Sequence, residues 1–238
     1  NILKIKEYSS DKKIDYIAWY HIFKNISLVS FIGIIVVIFY LLSLSKNLPS
    51  IDELNRYNPE QVSKILSADN IVIKKLYTHK RDMVDISNIP QYLIDALIVM
   101  EDREFYEHNG VNIKSIFRAL LVDIVSFSSK QGASTLTQQL ARTMYKNKSA
   151  KYYIGQSKKI NRKVKELITA IKIEQTYTKS EILELYFNSV YFGHGTYGVQ
   201  AASAYYFGKD ISKITLDEAA MLIGLLPAPA KYSPINHP

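Results

Sequence analysis

Two groups of ionisable residues in this sequence have the types and spacing that acid–base and anion chemistry require. The first is Glu101-Asp102-Arg103-Glu104-Phe105-Tyr106-Glu107-His108-Asn109-Gly110. It follows apolar residues at Leu93, Ala96, Leu97 and Met100, the spacing of a helix with one buried face. Carboxylates, a cation and a histidine crowded beside such a face are candidates for proton transfer, and Gly110 is placed to close the helix. A solvated helix end is the plainer use of the same residues. The second group is Lys158, Lys159, Arg162, Lys163, Lys165 and Glu166. On a helix, Lys158, Arg162 and Glu166 share one face, with Lys159 and Lys163 on the next. A glutamate held among cations stays ionised and could orient a basic side chain or ligate a hard cation. The plainer reading of the run is a solvated face.

Between them lies Gln131-Gly132-Ala133-Ser134-Thr135-Leu136-Thr137-Gln138-Gln139-Leu140-Ala141-Arg142. Gly132 breaks the preceding pattern. Thr135 and Gln138 have capping-box spacing, so a helix starts here with Leu136, Leu140 and Met144 as its buried stripe. A helix N-terminus rich in hydroxyls suits an anion. Capping accounts for Thr135 and Gln138 but does not require Ser134 and Gln139.

The elements that must position these residues follow from hydropathy. From Asn25 to Ser45 no residue is charged, and Ile26 to Leu44 is almost wholly apolar. About 20 such residues cross a bilayer core as a helix. Tyr16, Trp19, Tyr20 and Tyr40 fit the interfacial belts, and the lysines before the span favour a cytoplasmic N-terminus. The sequence therefore divides into a tail (1–24), a transmembrane helix (25–45), a linker with a β-hairpin (46–89) and a mostly helical domain (90–238). Strands are expected over Ile71–Tyr77 and around Met83–Ile86, forming that hairpin, with the turn pair Asp69-Asn70 ahead of them. Helices are expected from Pro90, over Val111–Phe127 with a wide apolar arc, over Lys179–Asn188 and over Thr215–Leu226. That arc is either core or a surface that dips into lipid. Gly193-His194-Gly195-Thr196-Tyr197-Gly198 matches a dinucleotide fingerprint literally. A helix precedes it rather than a strand, so tight turns are the better reading.

The 238-residue chain has a net charge of +8 and a pI near 9.3, which points to an anionic partner: nucleic acid, lipid or phosphate. No nucleic-acid module surrounds the basic run, which argues against nucleic acid. The absence of cysteine excludes thiolate metal sites, disulfides and a cysteine nucleophile. No Walker A, H-E-x-x-H or G-x-S-x-G motif is present.

Five blocks in order resemble the peptidoglycan glycosyltransferase family, as found in the N-terminal half of bifunctional class A penicillin-binding proteins. They are Glu101-Asp102-x-x-Phe105-x-x-His108-x-Gly110; Gly132-x-Ser134-Thr135-x-x-Gln138-Gln139-x-x-Arg142; Arg162-Lys163-x-x-Glu166; Lys179-x-x-Ile182-Leu183-Glu184-x-Tyr186-x-Asn188; and Ala219-Ala220 through Pro227-x-Pro229. The resemblance covers about Leu48 to Pro234. It implies a mainly α, lysozyme-like glycosyltransferase domain with a hydrophobic membrane-facing lobe, a small β-hairpin before it and one N-terminal transmembrane helix. It also implies an enzyme of the bacterial cytoplasmic (inner) membrane that polymerises lipid II into β-1,4 glycan strands. Its partners would be lipid II, the growing lipid-linked strand, the membrane and cell-wall synthesis proteins, with no nucleic acid. Glu101 and Glu166 would be catalytic, with Glu101 as base. Asp102, Phe105, Arg118, Ser134, Thr135, Gln138, Gln139, Arg142, Lys158, Arg162, Lys163, Lys165, Glu184 and Asn188 would bind substrate. Glu166 would position a basic side chain or help hold a divalent cation such as Mg2+, and no organic cofactor is implied. Asn112, Lys158 and Thr143 depart from the residues usual at those positions. A glycan hydrolase and a non-catalytic lipid-binding scaffold are the alternatives.

Overall fold

A computed structural model describes residues 2–46, 48–50, 53–54, 63–67, 69, 72–76, 82–126, 134–144 and 159–236, with backbone alone at 2–18, 63–66, 72–76, 120–121, 123–126 and 159. Lys158 and Gly132 fall outside these residues. The chain forms two units, 1–47 and 48–238.

The first unit is one helix, α1 (Ile2–Ser45). Its apolar part, Trp19–Ser45, is 27 residues long, and its side chains are almost all exposed. At 1.5 Å per residue that is about 40 Å, enough to cross a bilayer core of about 30 Å. The helical path begins well before Asn25, so the polar tail and the span share one element.

The second unit is mainly helical, as the resemblance implies. A two-stranded antiparallel sheet pairs β1 (Ser63–Leu66) with β2 (Val72–Leu76). Then follow α2 (Gln91–Glu101), α3 (Ile113–Ser126), α4 (Leu136–Met144), α5 (Lys159–Thr176) and α6 (Lys179–Ser189). A short hairpin, β3 (Tyr191–Gly193) and β4 (Thr196–Tyr197), leads to α7 (Val199–Phe207) and α8 (Leu216–Leu225). The core gathers Leu93 and Leu97 of α2, Leu136 and Leu140 of α4, Ile173 of α5, Ile182 and Phe187 of α6 and Leu222 of α8.

Some expectations change. The partner of β2 lies upstream, in β1, and not at Met83–Ile86. That second segment is held by a helix instead. The Asn188 side chain on α6 accepts from Val84 N–H at 2.9 Å and donates to Val84 C=O at 2.7 Å, while Glu184 accepts from Ile86 N–H at 2.9 Å. Side chains thus satisfy the backbone groups that a strand would otherwise pair. The stretch after Asn47, read as linker, supplies Leu48 and Leu54 to the core. Lys172 donates to Pro49 C=O and Tyr177 to Leu54 C=O, fastening it to α5 and the turn after it. The glycine-rich segment is a two-residue hairpin whose turn residues, His194 and Gly195, both have positive φ. Tight turning there agrees with the sequence reading, although the strands did not show in the pattern.

Gly110 does not close α2. The helix ends at Glu101 and Asp102 leaves helical geometry, with φ −159° and ψ 75°. Gly110 instead ends the loop that follows, at φ +83°, where a Cβ would lie 2.8 Å from Ala170 O on α5. Gly110→Ala therefore meets both left-handed strain and a backbone clash. It is expected to cost at least about 1–3 kcal/mol, read as a lower urea midpoint at unchanged m-value.

Candidate active site

Glu101 is the last residue of α2, so helix geometry carries its side chain to the mouth of a cleft. The cleft has a volume of about 280 Å3 and is lined by Glu101, Glu104, Arg118, Ser134 and Thr135, among others. That is near the lower end of the ~300–1,000 Å3 usual for ligand pockets. Glu101 Oε2 accepts a 2.7 Å hydrogen bond from Gln139 Nε2 on α4. Gln139 Oε1 in turn accepts from the Tyr186 hydroxyl on α6 at 3.2 Å.

The loop after Glu101 is pinned from beneath. Asp102 is buried, and its carboxylate accepts from Leu136 N–H at 3.0 Å, capping the first turn of α4. Both its oxygens also lie 3.0 Å from His108 Nε2. Gly110 N–H donates to His108 Nδ1 at 3.2 Å, which leaves Nε2 as the protonated nitrogen that faces Asp102. Phe105 is fully buried with Lys179 Nζ 4.4 Å above its ring, and Lys179 also donates to His108 C=O and Glu174. Burying a phenylalanine contributes about 1.5–3 kcal/mol. Phe105 is therefore one anchor of this loop, beside Asp102.

Behind the cleft, Glu166 on α5 is fully buried and surrounded by cations. Arg142 grips it with two nitrogens, Nε at 2.8 Å and a terminal nitrogen at 3.3 Å. Lys163 Nζ lies 3.3 Å away and Arg162 Nε 3.6 Å away. The carboxylate is sealed while the Arg142, Arg162 and Lys163 side chains stay 34–47% exposed. Three positive charges against one negative leave an outward-facing surplus of two, the electrostatic form of an anion site. Lys163 also donates to Ser134 on the rim of the Glu101 cleft, so the two parts of the site touch. The same three cations, with Ile160, Val164 and Leu167, line a shallow groove.

Among the residues singled out from sequence, Glu101, Arg118, Ser134, Gln139, Arg142, Arg162, Lys163 and Glu166 come together in or beside these two parts. Arg118 also bonds Ser115 Oγ on its own helix. Others are turned inward. Thr135 Oγ1 donates to Gly110 C=O at 2.7 Å and accepts from Gln138 N–H. Buried Gln138 reaches toward Gly110 C=O rather than back to Thr135, so only half of the capping box forms. Asp102, Phe105 and Gln138 spend their contacts on the loop, and Glu184 and Asn188 spend theirs on Val84 and Ile86. They position the site from within the fold, where burial and satisfied hydrogen bonds leave little for a substrate. Lys165 is half-buried on α5 and makes no ion pair with the Glu166 cluster among the described residues. Lys158 lies outside those residues. Sequence reasoning missed Lys179 and Glu174 as supports of the loop. Lys179 opened the fourth block without a role assigned to it, and nothing in the pattern marked Glu174.

The Glu166 arrangement does not fit a bound metal. Both carboxylate oxygens already accept from cationic donors, and a dication would sit against three like charges. The described residues contain no group of three acidic or histidine side chains suited to a metal.

The transglycosylase family profile matches residues 69–238, most of the second unit. The chain belongs to the transglycosylase family. Penicillin-binding protein 1F of Bacillus subtilis is 43% identical over 74% of this chain, and penicillin-binding protein 1A of Aquifex aeolicus is 39% identical over 90%. Penicillin-binding protein 1A of Neisseria lactamica is 41% identical over 83%. The chain spans about a quarter of these relatives: 24%, 28% and 24% of their lengths. The five blocks thus identified a transglycosylase domain, similar to the matching part of these penicillin-binding proteins.

Within this transglycosylase, burial pushes the Tyr186 phenol well above the ordinary tyrosine value of 10.0, and the Glu101 charge adds to the effect while Arg142 opposes it. The folded state then holds this proton more tightly than the unfolded chain. The resulting stability is full below about pH 10 and is lost as pH rises above it. Urea unfolding between about pH 8 and 11 is expected to show stability falling less steeply in Tyr186→Phe than in wild type.

Proposed function

We propose that this domain polymerises lipid II, an undecaprenyl-pyrophosphate-linked disaccharide, into β-1,4-linked glycan strands in cell-wall synthesis. The observation that carries the reading is the contact, through Ser134 and Lys163, between the Glu101 cleft and the cationic cluster around Glu166. One part suits proton abstraction and the other suits an anionic leaving group.

In this reading the acceptor's sugar hydroxyl loses its proton to Glu101 as its oxygen attacks the donor's anomeric carbon. The bond from that carbon to the pyrophosphate oxygen breaks, and undecaprenyl pyrophosphate departs with the electron pair. A single displacement inverts the centre from α to β, and no protein nucleophile is needed. Arg142, Arg162 and Lys163 stabilise the charge that grows on the leaving pyrophosphate, and they are preorganised because Glu166 already fixes them. Arg118, which lines the Glu101 cleft, is a further cation for the substrate.

The exposed apolar residues Ile113 and Phe117, one turn apart on α3 beside Lys114 and Arg118, suit contact with lipid and its head groups. With α1 as a single-pass anchor and its lysine-rich end in the cytoplasm, the domain would work on the outer side of the inner membrane, where other cell-wall synthesis proteins are its natural partners. A glycan hydrolase would have no use for the cation surplus, since its substrate is neutral there.

Glu101→Gln keeps the shape of the side chain and removes the base. It is expected to lower strand formation from lipid II by at least about 100-fold while donor binding persists. The check is a polymerisation assay on the detergent-solubilised chain, with and without Mg2+. Wild-type rates in Glu101→Gln would overturn the assignment.

A further inference from the structure

We propose that Tyr186 is a positioning residue for the base, acting on Glu101 through the side-chain amide of Gln139. This rests on the reading of Glu101 as base and adds to it the device that fixes its geometry.

The three groups form a one-way chain. An ionised carboxylate only accepts hydrogen bonds, so the Gln139 atom 2.7 Å from Glu101 Oε2 must be the amide nitrogen. The amide oxygen then points the other way and meets the Tyr186 hydroxyl at 3.2 Å. Tyr186 is 2% exposed and keeps its proton because burial and the nearby carboxylate both disfavour a phenolate. It is therefore a permanent donor. If that donor is removed, the amide oxygen loses its partner and the bond to Glu101 alone holds the Gln139 side chain, so Oε2 is fixed less firmly.

The chain crosses three helices. Glu101 ends α2, Gln139 lies in the first turns of α4 and Tyr186 lies on α6, packed edge-on against Phe187. It fixes Oε2 and leaves Oε1 with no protein partner among the described residues, available to an acceptor hydroxyl. Thr143 bonds the backbone carbonyl of Gln139 and so cannot replace Tyr186 at the amide. Gln139 thereby orients the base instead of spending its amide on substrate.

A double-mutant cycle in the lipid II polymerisation assay tests this, using the full chain in detergent. Tyr186→Phe retains the ring and removes the hydroxyl. It is expected to lower kcat about tenfold with KM changed less than about twofold. Gln139→Ala should lose as much, and Tyr186→Phe/Gln139→Ala no more than Gln139→Ala alone. A Tyr186→Phe penalty that persists in full in the Gln139→Ala background would overturn the proposal, since Tyr186 would then act by another route. Unchanged kcat in Tyr186→Phe would overturn it as well. Glu101→Gln run alongside separates the two readings. Activity retained there removes the base, whereas an inactive Glu101→Gln beside a wild-type Tyr186→Phe removes only the relay.

Discussion

The Asp102 carboxylate holds the candidate site together. It caps the first turn of α4, bonds His108 and follows directly on Glu101, so one buried charge ties the end of α2 to the start of α4. Burying a carboxylate is costly unless donors surround it. Here a helix N-terminus and a histidine do so, and the cost becomes specificity of geometry. Once Asp102 is satisfied, Gln139 is brought to Glu101 and Arg142 follows one turn later on the same helix, facing Glu166. Helix α4 thus spaces Glu101 from the cationic cluster.

The two glutamates are placed in opposite ways. Glu166 is sealed and saturated, and its work is electrostatic organisation. It cancels one of three positive charges and fixes the direction of the rest. Arg142 matters most in this respect, because a fork-shaped grip holds orientation as well as position. Glu101 is half-exposed and holds one hydrogen bond to a neutral amide. A base so held can take a proton without first breaking an ion pair. The contrast follows from partners and burial, since the side chains are the same.

Much of this was legible in the sequence. The apolar spacing of Leu93 and Leu97 and the Thr135 hydroxyl before Leu136 marked helices, because local periodicity and capping are short-range. The clustering of Glu166 with Arg162 and Lys163 followed from helical spacing. Arg142, from another helix, entered only through the resemblance. What escaped was long-range. Asn188 acting as a strand for Val84 spans 104 residues, and no pattern in either segment announces it. Phe105 and Glu184 illustrate a related limit. A residue can belong to a functional block because it supports the site, and motif membership does not separate support from contact. Burial does, and burial is a property of the fold.

Asn112 shows how a departure from the family pattern can be absorbed. The resemblance places aspartate here, and either residue can cap α3, since the side-chain oxygen is what accepts from Ser115 N–H at 2.9 Å. The difference lies in the second atom. Asn112 Nδ2 donates to Glu104 Oε2 at 2.7 Å, whereas an aspartate would set two carboxylates face to face in a buried position. Glu104 lines the Glu101 cleft, so the amide preserves the cap and also holds a carboxylate in the cleft wall. The identity of residue 112 and the presence of an acid at 104 are therefore one choice, made by hydrogen-bond chemistry.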